Sequence, residues 1–223
     1  MDNAINFKFI LVGEYKVGKT SYVKAMMKQA VDEQYKATVG ADMTFVTKEI
    51  SGHPVKINLW DIAGQLKYVS MRSTFYRSAS AAIIMHSLAP EDMSTAAAEI
   101  KGFVDSIRTE TAVELNDGTE DKIPIFVVGN KSDLQLADGP TPQELELQEQ
   151  LAEHGIAGYY KTSALTMDNI DESFDRMAEF VFEYYAANDL LDLQDDTGII
   201  DIRQPASKSG AGCLGILGLR KRN

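Results

Sequence analysis

Phe7-Lys8-Phe9-Ile10-Leu11-Val12-Gly13-Glu14-Tyr15-Lys16-Val17-Gly18-Lys19-Thr20 passes from a short apolar run straight into Gly-x-x-x-x-Gly-Lys-Thr. The run is short, β-branched or aromatic, and bounded by glycine, which predicts a buried strand over Phe7–Val12. A helical stretch follows from Lys19 to about Ala30. A strand, a glycine loop and a helix in that order form a phosphate cradle: successive backbone N–H groups wrap the anion, and the helix N-terminus adds its dipole. Gly13, Tyr15, Lys16, Val17, Gly18, Lys19, Thr20 and Ser21 are the expected contacts. Lys19 is expected to place its ammonium on the β- and γ-phosphates. Thr20 would offer a hydroxyl to Mg²⁺, a hard ion that prefers oxygen. This loop alone leaves ATP and GTP both open, and kinase and switch both open.

Working outward, Met43–Ile50 and Val55–Trp60 read as strands joined by a Ser51-Gly52-His53-Pro54 turn, which predicts a hairpin. Ala81–Met85 and Ile125–Val128 are further apolar runs. Met93–Arg108, Gln143–His154 and Ile170–Ala187 carry apolar residues at helical spacing and are expected to pack on the core. Glu110–Lys122 reads as a surface loop. Strands alternating with helices predict an α/β domain, a mostly parallel sheet covered on both faces with one antiparallel strand from the hairpin. In such sheets ligands bind at the carboxyl ends of the strands, and the informative loops here follow strands. The periodicity fails from about Asn188, which sets the expected boundary between a domain over residues 1–187 and a flexible tail over 188–223.

One of those loops selects the base. Asn130-Lys131-Ser132-Asp133 follows the run Ile125–Gly129. A carboxylate at Asp133 accepts two parallel hydrogen bonds, matching the N1–H and N2–H₂ donors of guanine. Adenine lacks that donor pair and would leave the carboxylate desolvated and unpaired. The Lys131 stem can lie along the base, and Asn130 can tie this loop to the phosphate loop. Thr162-Ser163-Ala164 is the expected last piece of the pocket, with the Ala164 N–H meeting guanine O6.

With these residues in place the chain, from roughly Phe7 to Ala187, resembles the Ras-superfamily small GTPases and most of all the Rab group. Trp60-Asp61-Ile62-Ala63-Gly64-Gln65 resembles the family's Trp-Asp-Thr-Ala-Gly-Gln. Tyr35-Lys36-Ala37-Thr38-Val39-Gly40-Ala41-Asp42-Met43 resembles the first switch, and Phe75-Tyr76-Arg77-Ser78-Ala79 resembles Tyr-Tyr-Arg-Gly-Ala. The resemblance implies a P-loop NTPase G domain with a six-stranded sheet. It also implies Mg²⁺-dependent hydrolysis of GTP to GDP and phosphate. Thr38 would then bind Mg²⁺ and the γ-phosphate, Asp61 would hold Mg²⁺ through water, and the Gly64 N–H would meet the γ-phosphate. Gln65 would orient the attacking water. Tyr35 belongs to the same nucleotide-facing set. Loss of the γ-phosphate releases both loops. Effectors, exchange factors and activating proteins would read residues 31–43 and 64–77.

Departures from the family pattern carry expectations of their own. Tyr15 stands where many members have glycine or a small residue, close to the γ-phosphate; two readings stay open, a phenol that slows hydrolysis or resists an activator and a ring that points to solvent with no effect. Val31 replaces a phenylalanine that would edge the guanine, which predicts loosened nucleotide holding. His86 is expected to be a packed or partly exposed histidine and no catalyst. Neither paired prenylation cysteines nor Cys-a-a-X ends the sequence; instead an acidic stretch, a small-residue linker, and Cys213 before an apolar patch with a basic end are present. Two readings of that patch stay open: reversible peripheral membrane contact, with acylation of Cys213 as a second anchor, or a disordered soluble tail.

Composition narrows the class. With 223 residues, 44% hydrophobic, the chain is long enough for a sizeable core. A net charge of −11 repels a nucleic-acid backbone, so nucleic-acid binding is not expected. One cysteine, no apolar run near the ~20 residues of a membrane span and no signal-like or myristoylated start point to the cytoplasm, with peripheral contact on intracellular membranes. Two rivals remain: a scaffold that holds GTP or GDP and scarcely hydrolyses it, and an ATP-dependent kinase, against which Asp133 counts.

Overall fold

In β1, Ile5–Val12, successive side chains point to opposite faces. Phe7, Phe9 and Leu11 enter one apolar cluster, Ile10 and Val12 another. A strand buried on both faces must sit inside a sheet covered by two layers, and β1 does. The computed structural model describes residues 4–30, 38–64, 74–89, 91–116, 118–135 and 139–191. After β1 come α1 (Lys19–Met26), β2 (Ala41–Ile50), β3 (His53–Ile62), β4 (Ala81–Ser87) and α2 (Met93–Glu110). The chain continues through β5 (Val113–Glu114), β6 (Glu120–Asp121), β7 (Ile125–Asn130), α3 (Pro142–Ala152), β8 (Gly158–Lys161) and α4 (Ile170–Ala187).

Among the described residues the main sheet has six strands in the order β2-β3-β1-β4-β7-β8. Only the β2–β3 pair is antiparallel; the others are parallel. The mostly parallel sheet and the hairpin agree with the sequence reading. Ser51 (φ 53°) and Gly52 (φ 81°) make the two-residue reversal between Ile50 and His53, a left-handed geometry that matches strand twist. β1 lies between β3 and β4, so the chain passes to one side of it and then to the other. This switch point opens a crevice at the strands' carboxyl ends, where the phosphate loop emerges.

The two layers follow from the helix stripes. Tyr22 and Ala25 of α1 join Phe174, Met177, Ala178 and Val181 of α4 on one face. Ala96, Ile100, Phe103 and Ile107 of α2 join Leu147 and Leu151 of α3 on the other. Two elements differ from expectation. α1 stops at Met26 rather than Ala30, because the chain turns through Lys28 in the left-handed region (φ 55°). Residues 110–122 are not a plain loop: β5 and β6 pair, and Tyr184 of α4 donates to Asp121 Oδ2 at 2.7 Å. Beyond α4 the described chain continues to Leu191, and Leu190 is buried against the first cluster.

Candidate functional site

The phosphate loop owes its shape to close backbone approaches. Gly13 lies at φ 144°, and a Cβ there would stand 2.1 Å from the Met85 carbonyl oxygen of β4. Gly18 lies at φ 99°, and its Cβ would meet the Asn130 side-chain nitrogen at 2.2 Å. Neither position admits a side chain, on conformational and steric grounds alike. Lys16 also takes the left-handed conformation, at φ 64°. Lys19 is buried and curls back over the loop, donating to Gly13 O at 2.9 Å and Glu14 O at 2.8 Å. No side chain caps α1 at Gly18. An ammonium and a helix N-terminus therefore converge on one small concavity, which favours an anion. Val17 is buried beneath it, Ser21 follows Thr20 on α1, and Tyr15 stands 43% exposed with Lys16 Nζ 4.9 Å from its ring centre.

Three oxygens from separate segments meet beside the loop. Thr20 Oγ1 donates to Asp61 Oδ2 at 2.5 Å and lies 3.0 Å from Thr38 Oγ1. A hydroxyl has one proton, so the Thr38 hydroxyl must be the donor in the second contact. Asp61 Oδ1 is buried with no hydrogen-bond partner among the described residues. Burial pushes the Asp61 carboxyl up, against the pull of the Thr20 hydroxyl and the Lys19 ammonium. Two hydroxyls and an under-satisfied buried carboxylate fit a hard divalent cation such as Mg²⁺, which prefers oxygen ligands. The Ala63 N–H donates to Gly40 O at 2.9 Å, binding the end of β3 to the approach to β2. At Gly64 a Cβ would come within 2.7 Å of the Glu14 carbonyl, so this backbone lies directly on the phosphate loop. Gln65, Tyr35 and Val31 lie outside the described residues.

The base loops are knitted to the phosphate loop through Asn130. Its amide donates to Val17 O at 3.0 Å, and its Oδ1 accepts from the Ala164 N–H at 3.0 Å. The Ala164 N–H, expected to meet guanine O6, is held in this structure by Asn130 Oδ1. Ala164 is buried, its N–H requires a partner, and Asn130 supplies it. Lys131 turns through φ 67° into a short helical turn over Ser132–Leu134, which presents Asp133 at the surface. Ser163 Oγ donates to Asp133 Oδ1, joining the two base loops.

Two neighbours, Phe45 and Trp60, extend the expected partner surfaces 31–43 and 64–77 beyond the bounds set from sequence. Met43 and Phe45 are exposed on β2, Met43 sits opposite Trp60, and Trp60 lies 6.1 Å from Phe75. Together with exposed Val39 they make an apolar surface beside Thr38 and Asp61. Strand alternation marks Met43 and Phe45 as one face, which was the available signal. Below the base loops, His86 is buried as expected and makes two contacts: Nδ1 lies 3.3 Å from Ser87 O, and Nε2 3.1 Å from the Tyr159 hydroxyl. A carbonyl only accepts, so Nδ1 carries the proton and Nε2 accepts from Tyr159.

Burial lowers the His86 pKa from 6.5 to about 4. The unfolded chain therefore gains a proton below pH 6.5 that the native state refuses until about pH 4. The stability is intact above 6.5 and is lost as pH falls through that window. The expected loss is about 3 kcal/mol. Urea midpoints between pH 7 and 4.5 should fall steeply for the native sequence and less steeply for His86→Phe; parallel curves would refute the assignment.

The model of the Ras family matches residues 8–183. Human Ras-related protein Rab-34 is 34% identical over 191 residues, covering 84% of this chain and 67% of that protein. Ras-related protein Rab-32 of Sus scrofa is 33% identical over 183 residues, 82% of this chain and 75% of its own. Ras-related protein RABG3b of Arabidopsis thaliana is 30% identical over 210 residues, 92% and 96% of the two chains.

Proposed function

This chain belongs to the Ras family and is Rab-like, and we propose that it works as a guanine-nucleotide switch that hydrolyses GTP to GDP and phosphate. The observation that carries the reading is the meeting of Thr20, Thr38 and Asp61 oxygens beside Lys19, from three separate segments. A divalent cation held by these oxygens would tie the Thr38 segment to the phosphate site, and loss of the γ-phosphate would release it, which is what would make the cluster a sensor. Lys19 stabilises charge on the β- and γ-phosphates, held in register by the Gly13 and Glu14 carbonyls. The backbone from Gly13 to Gly18 wraps the phosphates, with Tyr15, Lys16 and Val17 forming its outer turn, and Ser21 extends the anion site along α1. Thr20 and Thr38 supply hydroxyls to Mg²⁺, and Asp61 acts through water. When bound, Mg²⁺ neutralises charge developing on the phosphate oxygens. Gly64 offers its N–H to the γ-phosphate, and Gln65 orients water. Tyr35 belongs to the nucleotide-binding set.

Asp133 reads guanine, Lys131 covers the base, and Asn130, Ser163 and Ala164 hold the pocket's walls together. Residues 1–187 form the G domain. The tail over residues 188–223 begins packed, with Leu190 on the core, and its apolar, basic end makes peripheral contact with intracellular membranes. No helix among the described residues is long and apolar enough to cross a membrane. Effector, exchange-factor and activating proteins read residues 31–43 and 64–77, with Phe45 and Trp60 extending that surface. The resemblance to Rab proteins supports a role in membrane traffic.

The test begins with the nucleotide that copurifies. Stoichiometric GDP or GTP is expected, with single-turnover phosphate release and at least ~10-fold faster GDP release when Mg²⁺ is chelated. A preparation that binds ATP as tightly as GTP would overturn the base assignment. The scaffold reading remains specific because of Tyr15: bound GTP that yields no phosphate would favour it.

A further inference from the structure

Glu144 is a carboxylate with no exposed surface, placed in the first turn of α3 and outside every role described above. A buried carboxylate must be met by donors. Three meet this one, and they come from different segments. The Thr141 N–H donates at 2.8 Å, the Gln135 side-chain amide at 2.9 Å, and Lys161 Nζ lies 3.0 Å from Oε1. Burial pushes the carboxyl up, but the Thr141 N–H, the Gln135 amide and the Lys161 ammonium outweigh it and hold it below the usual range.

The first donor belongs to the helix. Thr141 Oγ1 accepts from the Glu144 N–H in return, a reciprocal capping box that starts α3. The other two belong to the base loops. Gln135 closes the turn Ser132–Leu134 that presents Asp133, with its N–H on Ser132 O at 3.0 Å. Lys161 ends β8, immediately before Thr162-Ser163-Ala164, and its carbonyl accepts from Asn169 at 2.7 Å. Since Ser163 Oγ donates to Asp133 Oδ1, the links close a ring: Asp133 to Ser163, along the chain to Lys161, across to Glu144, over to Gln135, and back to Asp133.

We infer that Glu144 is a positioning residue for base recognition, fixing the distance between the Asp133 turn and the Ser163–Ala164 loop through Gln135 and Lys161. The inference rests on the reading of Asp133 as the guanine acceptor. Its chemistry is local: the clamp orients one carboxylate toward the N1–H and N2–H₂ edge and leaves the phosphate loop alone. A misaimed Asp133 loses discrimination between GDP and inosine diphosphate, which lacks the N2 amine. A merely weakened domain loses both ligands alike.

The experiment measures GDP and inosine diphosphate affinities, with melting temperature, for the full chain and two variants. Glu144→Gln keeps the shape but removes the charge. Lys161→Met removes one arm of the clamp and leaves the helix cap intact, so it serves even where Glu144→Gln folds poorly. Each variant is expected to lower the GDP over inosine diphosphate preference about tenfold, the order of one lost hydrogen bond to the base. An unchanged preference in Lys161→Met, or an equal loss of both ligands, overturns the inference. A native chain that does not distinguish the two nucleotides would instead overturn the assignment of Asp133.

Discussion

Asp133→Asn is expected to weaken GDP binding by ~10⁴-fold and to shift preference to xanthosine diphosphate. Guanine presents two donors, N1–H and N2–H₂, and a carboxylate accepts both. An asparagine amide accepts at one atom and donates at the other, so its NH₂ faces the base's NH₂ and both are left unpaired in a desolvated pocket. Xanthine carries a carbonyl at the same position and matches the amide. Folding should be little affected, because Asp133 is exposed and an asparagine oxygen still accepts from Ser163 Oγ. Competition against a fluorescent guanine nucleotide measures the change. GDP affinity within ~10-fold of the native value would refute the role of Asp133 in base reading.

How much of this was legible beforehand depends on the range over which each feature is encoded. The phosphate loop was readable because its causes are local. Gly13 and Gly18 are required by their own backbone angles and by neighbours that the strand–loop–helix order brings close. The parallel sheet was readable for a similar reason, since buried strands on both faces leave apolar runs that polar turns interrupt. Helix ends were less so: α1 stops early at Lys28, a residue type that gives no warning of a left-handed turn. The base loops were only half readable. Asn-Lys-x-Asp announced Asp133. Nothing in the motif showed that Asn130 would take the Ala164 N–H, because that bond joins residues 34 apart. Glu144 was readable only as half of a capping box, Thr141-Pro142-Gln143-Glu144. Its grip on Lys161 and Gln135 exists only once α3 has packed beside β8. The extension of the partner surface through Phe45 and Trp60 was hidden in the alternation of β2 and β3, a period that reports faces without saying which of them stays uncovered.

Tyr15→Gly is expected to turn a slow switch into one that an activating protein can accelerate by ~10³-fold or more. Tyr15 occupies the outer turn of the phosphate loop, 43% exposed. Gly64, at the other side, lies directly on the Glu14 carbonyl, so little room separates the two segments. An activator that supplies an arginine must bring its guanidinium past the phenol to reach the transferring phosphate. It also meets a like charge, since Lys16 holds its ammonium 4.9 Å over the Tyr15 ring. Steric crowding and cation repulsion act along the same path, and glycine removes both the ring and the surface that holds Lys16 there. Single-turnover phosphate release from the GTP-loaded protein, with and without an arginine-supplying activator of Rab-like small GTPases, measures the effect. The native chain should gain less than ~10-fold from the activator, the variant far more. Equal stimulation of the two proteins, or none in either, refutes the argument. The outcome also decides between the switch and the scaffold: if the variant alone turns over quickly, the catalytic parts are intact and a single side chain sets how long the bound GTP persists.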